Sequence, residues 1–397
     1  MTKGVNETMK TFLKKAGLAL ALTAAGVTAQ AADEFVIGAV NAKTGFMAAY
    51  DAPFMQGIHM YTKEANARGG LGGKYPIRVV ERDDASDVQK STVSTAEVLA
   101  AEDVNLFVTS ALAPYAISAG SQSLRKGVLT VHTIASQPTI PARLGEGSYL
   151  VMMSDAHMGG VYAKYATEDL GAKTAYIVTS DFDPYTEFLP LYFKEKFEEA
   201  GGSVVGQSDF AYDQQEFSSV VAAIKALPEA PDVIMGMPFD NDFPIFINQL
   251  RAAGVESVYL GPDTLDLPSV KGLGDVVNGV HYVTMAAPTS SPEAGAFVEA
   301  YVAEYGSDDS AYPAMVGYSF MRMVEAAVES AGTNEAAAVR AAFGELEGVG
   351  TEIGDVTFKG FGALPNLPVH VMRIENGEGV HVKSIKLDAA EIPSPRS

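Results

Sequence analysis

The sequence contains no cysteine. This absence excludes a disulfide framework, a metal site built from thiolates and a cysteine nucleophile. It also excludes a lipid anchor attached to an N-terminal cysteine. We therefore expect a freely diffusing protein that has no disulfide bonds, no thiolate metal site and no lipid anchor on a cysteine.

Sequence patterns that signal catalysis are missing as well. The six histidines are scattered and form neither H-x-x-x-H nor H-E-x-x-H. The run VGYSFM lacks the final glycine of a G-x-S-x-G nucleophile turn. We predict that the protein has no enzyme activity and needs no metal or cofactor, and we keep an enzyme as the alternative from a different class.

Basic residues are scarce. The chain has 28 Lys and Arg against 49 Asp and Glu, which gives a formal net charge of −21. A chain this acidic repels nucleic acid and anionic membrane surfaces, so neither is an expected partner.

Long apolar runs are absent apart from one near the N-terminus. Ala16–Ala29 is apolar over about fourteen residues, which is too short to span a bilayer. Lys10, Lys14 and Lys15 precede it, and Ala-Gln-Ala ends at Ala31. This order predicts a signal peptide over residues 1–31, with cleavage before Ala32 and export of a soluble protein to the periplasm. A buried N-terminal helix is the alternative, and translation could also start at Met9.

Short apolar runs alternate with longer helical patterns through most of the chain. Strands are predicted at 35–40, 77–81, 105–110 and 128–133, and a second series at 174–180, 203–210, 232–237 and 257–261. Helical patterns separate the strands within each series, which is typical of parallel sheets covered on both faces. We predict an α/β protein with two doubly wound parallel-sheet lobes. Three more helices and a closing set of strands follow in the last third.

The glycine-rich stretch RGGLGGKYP begins at Arg68, directly after a predicted helix. A phosphate-binding loop has the reverse order, with glycines between a strand and the helix that follows it. We interpret Gly69 and Gly70 as the end of the helix. Asp83 and Asp84 could bind a cation or cap the next helix, and the spacing favours capping.

Four segments resemble the leucine/isoleucine/valine-binding protein family, which are type I periplasmic binding proteins of ABC importers. They are ANARGGLGGKYPIRVVERDDASD, FVIGAVNAKTGFMAAYDAPFMQGIHM, GVLTVHTIASQPTI and FINQLRAAGVESVYLGPDTLD. The resemblance covers nearly the whole chain after residue 31, in order. It implies two lobes joined by three crossovers, with residues 32–153 plus 286–349 in lobe one and residues 154–285 plus 350–397 in lobe two. It also implies ligand binding between the lobes and docking on permease subunits in the inner membrane. We expect the receptor to be a monomer.

The resemblance also places ligand-binding positions on this sequence. They are Tyr50, Ala113, Ile134, Ser136, Tyr185, Phe239 and Asp263. Asp263 stands where the family has a glutamate that binds the α-ammonium group, and Phe239 replaces a tyrosine. Ala113 lacks the serine hydroxyl that commonly binds the ligand carboxylate. Asp240 and Asp242 are rivals of Asp263 as the ammonium partner.

Apolar wall positions are predicted as well, namely Phe46, Met152, Met153, Phe182 and Phe239. The function that follows is a receptor for a small carboxylate-bearing solute, an amino acid of the branched-chain or apolar type. An aromatic acid, an amide or another small metabolite is the alternative ligand. A cytoplasmic ligand sensor on the same fold is the alternative role.

Overall fold

The structure is a computed structural model that describes residues 34–239, 241–266 and 268–396. The predicted signal peptide, residues 1–31, lies outside the described residues and stays a prediction. No helix in the described part of the chain is long and apolar enough to cross a membrane.

The first sheet is fully parallel, with strand order β2-β1-β3-β4-β5. Its strands are β1 (Phe35–Asn41), β2 (Ile77–Asp83), β3 (Leu106–Thr109), β4 (Leu129–His132) and β5 (Ser148–Leu150). All seven residues of β1 are buried, because neighbouring strands and helices cover this inner strand on every side. This sheet forms the centre of lobe one.

The second sheet has the order β14-β13-β10-β9-β8-β6-β7. Its strands are β6 (Thr174–Thr179), β7 (Ser203–Asp209), β8 (Val233–Gly236), β9 (Val258–Leu260), β10 (His281–Thr284), β13 (Val369–Glu375) and β14 (Glu378–Ile385). The first five are parallel, whereas β13 is antiparallel to β10 and β14 is antiparallel to β13. The sheet of lobe two is therefore mixed. The edge strands β7 and β14 alternate in burial, as expected where only one face is covered.

Helices connect the strands. In the first half they are α1 (Ala48–Ala67), α2 (Val88–Ala101), α3 (Ala113–Arg125), α4 (Thr139–Leu144), α5 (Asp155–Lys164) and α6 (Pro184–Glu199). In the second half they are α7 (Ser218–Lys225), α8 (Asp242–Ala252), α9 (Pro268–Lys271), α10 (Pro292–Tyr305), α11 (Ala311–Ala331) and α12 (Ala336–Gly344). A π-helical turn (Tyr165–Asp169) extends α5, and short 3-10 turns include Asp263–Leu265.

The end of α1 matches the expectation from its glycines. The helix ends at Ala67, and Gly69 and Gly70 follow with φ of 100° and 90°. Both values lie in the region that favours glycine. The chain then turns into β2, so this stretch is a helix end followed by a turn, as the order of elements indicated.

The chain crosses between the lobes three times, as predicted for this fold class. The crossings lie between β5 and α5, between β10 and α10, and before β13. The predicted boundary at residue 350 falls inside the hairpin of β11 (Val349–Thr351) and β12 (Gly354–Val356). Beyond that hairpin the chain still contacts lobe one, because Leu150 N donates to Ala363 O at 3.0 Å. We place the third crossing after Asn366, and the exact domain limits remain a proposal.

Candidate functional site

A cavity of about 430 Å³ lies between the two lobes, where the carboxyl ends of both sheets face each other. Loops after β1, β3 and β4 form its lobe-one wall, and loops after β6, β7, β8 and β9 form its lobe-two wall. Open α/β sheets place ligand sites at this edge, since the loops that follow parallel strands converge there. The cavity is therefore the candidate site.

Most of the predicted site residues lie in this cavity. Tyr50, Ile134 and Ser136 line it from lobe one, and Tyr185, Phe239 and Asp263 line it from lobe two. Ala113 does not line it. That residue begins α3, directly after Leu112, which does line the cavity. The structure thus brings six of the seven positions together, and their role in binding stays a prediction.

The cavity has an aromatic wall. Phe182 stacks on Tyr212 with ring centroids 4.1 Å apart and planes 16° apart, and Tyr212 lies 5.3 Å from Phe239. Phe46 faces the same cavity from lobe one. Phe46 and Phe182 are 62% and 48% exposed, which is unusual for phenylalanine and leaves apolar surface for a ligand to cover.

Two of the apolar wall predictions are wrong. Met152 and Met153 are buried in the core beside the first crossing and do not line the cavity. Tyr212 was not predicted. Its position three residues after the end of β7, at the cavity edge of the sheet, was the available signal.

Asp263 is a buried carboxylate on the cavity wall, with 7% of its surface exposed. Tyr185 donates to its Oδ1 at 2.6 Å, and Tyr312 of α11 donates to its Oδ2 at 3.3 Å. Burial raises the pKa of this carboxyl, and the two tyrosine hydroxyls partly oppose that shift. Tyr312 belongs to lobe one, so the bond to Asp263 joins the lobes at the site.

A second bond joins the lobes on the cavity wall. Gln137 Nε2, in the loop after β4, donates to Asp183 Oδ1 at 2.5 Å. Asp183 is also the N-cap of α6 and accepts a bond from Tyr185 N at 2.9 Å. Burial raises the pKa of Asp183. Gln137 Oε1 is buried as well and has no hydrogen-bond partner among the described residues.

Sequence comparison identifies the family. A family model described as "Periplasmic binding protein" matches residues 34–378. The chain belongs to the periplasmic binding protein family. A curated relative, "Leu/Ile/Val-binding protein homolog 2" of Brucella abortus, is 25% identical over 356 residues, covering 89% of this chain and 92% of the relative. The predicted resemblance to the leucine/isoleucine/valine-binding proteins is thereby confirmed.

Solved structures share the fold of this periplasmic binding protein. A leucine-binding protein LivK of Thermotoga maritima has a TM-score of 0.76 and 22% identity, over 88% of this chain and 98% of that one. LivJ of Streptococcus pneumoniae, in complex with isoleucine, has a TM-score of 0.77 and 21% identity, over 89% of this chain and 100% of that one. A solute-binding protein of R. palustris, in complex with benzoate, has a TM-score of 0.74 and 20% identity. The match covers 90% of this chain and 99% of that one. At these identities the likeness shows the fold alone.

The rival acidic residues are placed differently from Asp263. Asp242 is buried at the start of α8 and accepts a bond from Asp213 N at 2.8 Å. It does not line the cavity. Asp240 lies outside the described residues.

The aspartate pair after the glycine-rich turn does not cap a helix, so the capping interpretation is wrong for these two residues. Asp83 accepts bonds from Lys43 N and Thr44 N, and its pKa is lowered to about 2 by such bonds although partial burial opposes this. Asp84 accepts from Ser86 N. The cap of α2 is Asp87, which accepts from Lys90 N. Asp83 instead holds the loop that leads to Phe46.

No group of three or more potential metal ligands is found within the described ranges. Two of the buried histidines have hydrogen-bond partners in the core: His132 contacts Thr109 and Ser148, and His157 contacts Ser154. Burial lowers the pKa of His132 to about 3 and that of His157 to about 4, so both are neutral at physiological pH. The residues that line the cavity include no Lys, Arg or His.

Proposed function

We propose that this periplasmic binding protein is the substrate receptor of an ABC importer and binds an amino acid with an apolar side chain between its lobes. The observation that carries the proposal is one cavity that combines a buried carboxylate, Asp263, with an aromatic wall. The receptor would act in the periplasm as a monomer, and its closed form would dock on the permease subunits.

Each part of an amino acid has a matching group in this cavity. Asp263 would accept the ammonium group in a charge-assisted hydrogen bond. Ser136 and the backbone N–H of Ala113, the first residue of α3, would bind the carboxylate, since a helix N-terminus favours an anion. Phe46, Phe182 and Tyr212 would cover the side chain. Ala113 offers only its backbone here, which suits a carboxylate held without a side-chain hydroxyl at that position.

An aromatic acid is the second candidate ligand. The stacked pair Phe182 and Tyr212 favours it, because a planar ring packs well on such a wall. The acidic lining opposes it, since Asp183 and Asp263 face the cavity and no basic side chain is among the lining residues. An amino acid supplies the positive charge that this lining lacks, so it ranks first.

A ligand screen tests the proposal. Purified Ala32–Ser397 is heated with single amino acids, benzoates, amides and polyamines. A ligand at 100 times its Kd stabilises a protein by about 2.7 kcal/mol, so a true ligand raises the Tm clearly. A shift with leucine-like or aromatic amino acids supports the proposal. A shift with benzoates and none with amino acids supports the second candidate, and no shift with any of them rejects both.

Location and role need their own measurements. Cell fractionation with mass analysis of the N-terminus should find the protein in the periplasmic extract, beginning at or within two residues of Ala32. Recovery in the cytoplasm with an intact Met1 or Met9 would favour a cytoplasmic sensor instead.

A further inference from the structure

Asp51 is a fully buried carboxylate in the first turn of α1, with 0% of its surface exposed. It accepts three hydrogen bonds, from Ala42 N at 3.0 Å, Ser110 Oγ at 2.5 Å and Thr133 Oγ1 at 2.7 Å. No ion pair to Asp51 is found in the part of the chain that the structure describes. Burial raises its pKa to about 6 in spite of these bonds.

The three donors share one structural position. Ala42 follows β1, Ser110 follows β3 and Thr133 follows β4, each directly after the last residue of its strand. The loops that begin there supply the lobe-one wall of the cavity. They carry Phe46 and Met47, then Ala111 and Leu112, then the segment Ile134–Gln137. One carboxylate therefore ties the starts of all three loops together.

We propose that Asp51 is the positioning residue of the lobe-one half of the ligand site. It holds the three strand-end loops in register, so that the wall is formed before the ligand arrives. The inference rests on the proposed function, since it concerns the same cavity. Asp51 itself does not line the cavity and acts only through the loops.

The physical reason is pre-organisation. The three loops are connected to separate strands. Without Asp51 they would become ordered only when the ligand binds, and the entropy lost in ordering them would weaken binding. A carboxylate suits this place because its two oxygens together accept one backbone N–H and two hydroxyls. The Ser110 hydroxyl gives its only hydrogen to Asp51, so it cannot also donate to a ligand carboxylate.

The test compares two substitutions of Asp51 with a matched control. Asp51→Ala removes all three acceptor contacts, whereas Asp51→Asn keeps an acceptor oxygen and adds a donor that can face the Thr133 hydroxyl. Asp232→Ala is the control, because Asp232 also accepts three bonds, from Lys173 N, Thr174 N and Thr174 Oγ1, but at the opposite end of its sheet. Thr133→Val, which keeps the side-chain shape, replaces Asp51→Ala if that variant does not fold.

Two readouts are used. Hydrogen exchange of the ligand-free proteins reports the loops directly, and calorimetric titration with L-leucine and L-phenylalanine reports affinity. We expect Asp51→Ala to speed exchange in residues 42–50, 110–112 and 133–137 and to weaken binding about tenfold or more, with Asp51→Asn restoring most of both. Asp232→Ala should lower the Tm and leave affinity unchanged.

Unchanged exchange in the three loops of Asp51→Ala, or of Thr133→Val in its place, would overturn the proposal. So would equal loss of affinity in Asp51→Ala and Asp232→Ala. The exchange measurement needs no ligand, so it remains decisive even if the wild-type protein binds neither amino acid. That last result would count against the proposed function alone.

Discussion

Gln137 Nε2 donates a hydrogen bond of 2.5 Å to Asp183 Oδ1 across the cleft between the lobes. The two residues lie in loops after β4 and β6, in different sheets, and both line the cavity. Together with the bond from Tyr312 to Asp263, this contact joins the lobes at the candidate site. Bonds of this kind stabilise the closed arrangement of the lobes, and a ligand that favours closure gains from them.

We expect Gln137→Ala to weaken ligand binding several-fold by lowering the population of the closed form. Small-angle scattering should show a larger radius of gyration for the variant than for wild type at the same ligand concentration, and calorimetry should give the higher Kd. Gln207→Ala is the control, because Gln207 is exposed on the edge strand β7 and does not line the cavity. Equal affinity of the Gln137 variant and wild type would argue against a role in closure.

Asp263→Asn removes the charge that we assign to the ligand ammonium and keeps the size of the side chain. In a closed, desolvated cleft this change should weaken an amino acid by about 2–4 kcal/mol. A purely anionic aromatic acid should be affected much less, or should bind more tightly. Calorimetric titration checks both. Asp242→Asn is the comparison, and a loss confined to that variant would move the ammonium contact away from Asp263.

Phe182→Ala removes an exposed ring that is stacked on Tyr212 at the cavity wall. The loss of apolar contact should weaken ligands with large side chains by about 1–2 kcal/mol and affect alanine little. Tyr305→Ala is matched to it, because Tyr305 is 38% exposed and packs 4.7 Å from Tyr301 on α10, outside the cavity. If both variants bound leucine and phenylalanine like wild type, Phe182 would have no part in the ligand wall.

The helices α1 and α11 approach closely through two glycines. A Cβ at Gly57 would overlap Ala314 O, and a Cβ at Gly317 would overlap Phe54 O. Gly57→Ala and Gly317→Ala should each lower the free energy of unfolding by about 1–3 kcal/mol, because the backbones must separate. Gly295→Ala in α10 is the control: its nearest neighbour, Pro288 O, lies 3.4 Å away, so this change should be neutral or slightly stabilising. Urea denaturation measures all three, and equal stabilities would contradict the close contact.

Asp51 should make stability depend on pH. Burial raises its folded-state pKa from 3.8 to about 6, so folding takes up a proton between these values. Asp51 therefore lowers the free energy of unfolding most above about pH 6, where it is ionised in the folded protein. This destabilisation decreases as the pH falls towards 4. The stability of wild type relative to Asp51→Asn should rise by roughly 3 kcal/mol over this range, measured by urea denaturation. A difference that stays constant with pH would show that the carboxyl keeps its ordinary pKa.

The sequence alone determined the alternation of strands and helices, because buried parallel strands need apolar residues and covering helices need a 3.6-residue period. The strands predicted at 35–40 and 77–81, for example, correspond to β1 (Phe35–Asn41) and β2 (Ile77–Asp83). Elements whose residues show neither the helical nor the strand period were not predicted. The helix α5 is buried at nine of its ten positions and has no polar face, so it gave no helical signal. The strands β5 (Ser148–Leu150) and β10 (His281–Thr284) are not among the predicted strands either.

The candidate site also has a part that the sequence predicts and a part that only the tertiary structure decides. Eight positions that line the cavity could be named from the sequence, because they follow strands whose carboxyl ends must meet. Six of them match a family pattern, and the other two are the wall residues Phe46 and Phe182. Tertiary structure alone decided the partners: Gln137 with Asp183, Tyr312 with Asp263, and Asp51 with Ser110 and Thr133. These pairs are between 46 and 82 residues apart along the chain. Local sequence fixes backbone conformation over one or two turns, whereas such contacts depend on how the strands are ordered and how the two lobes are placed.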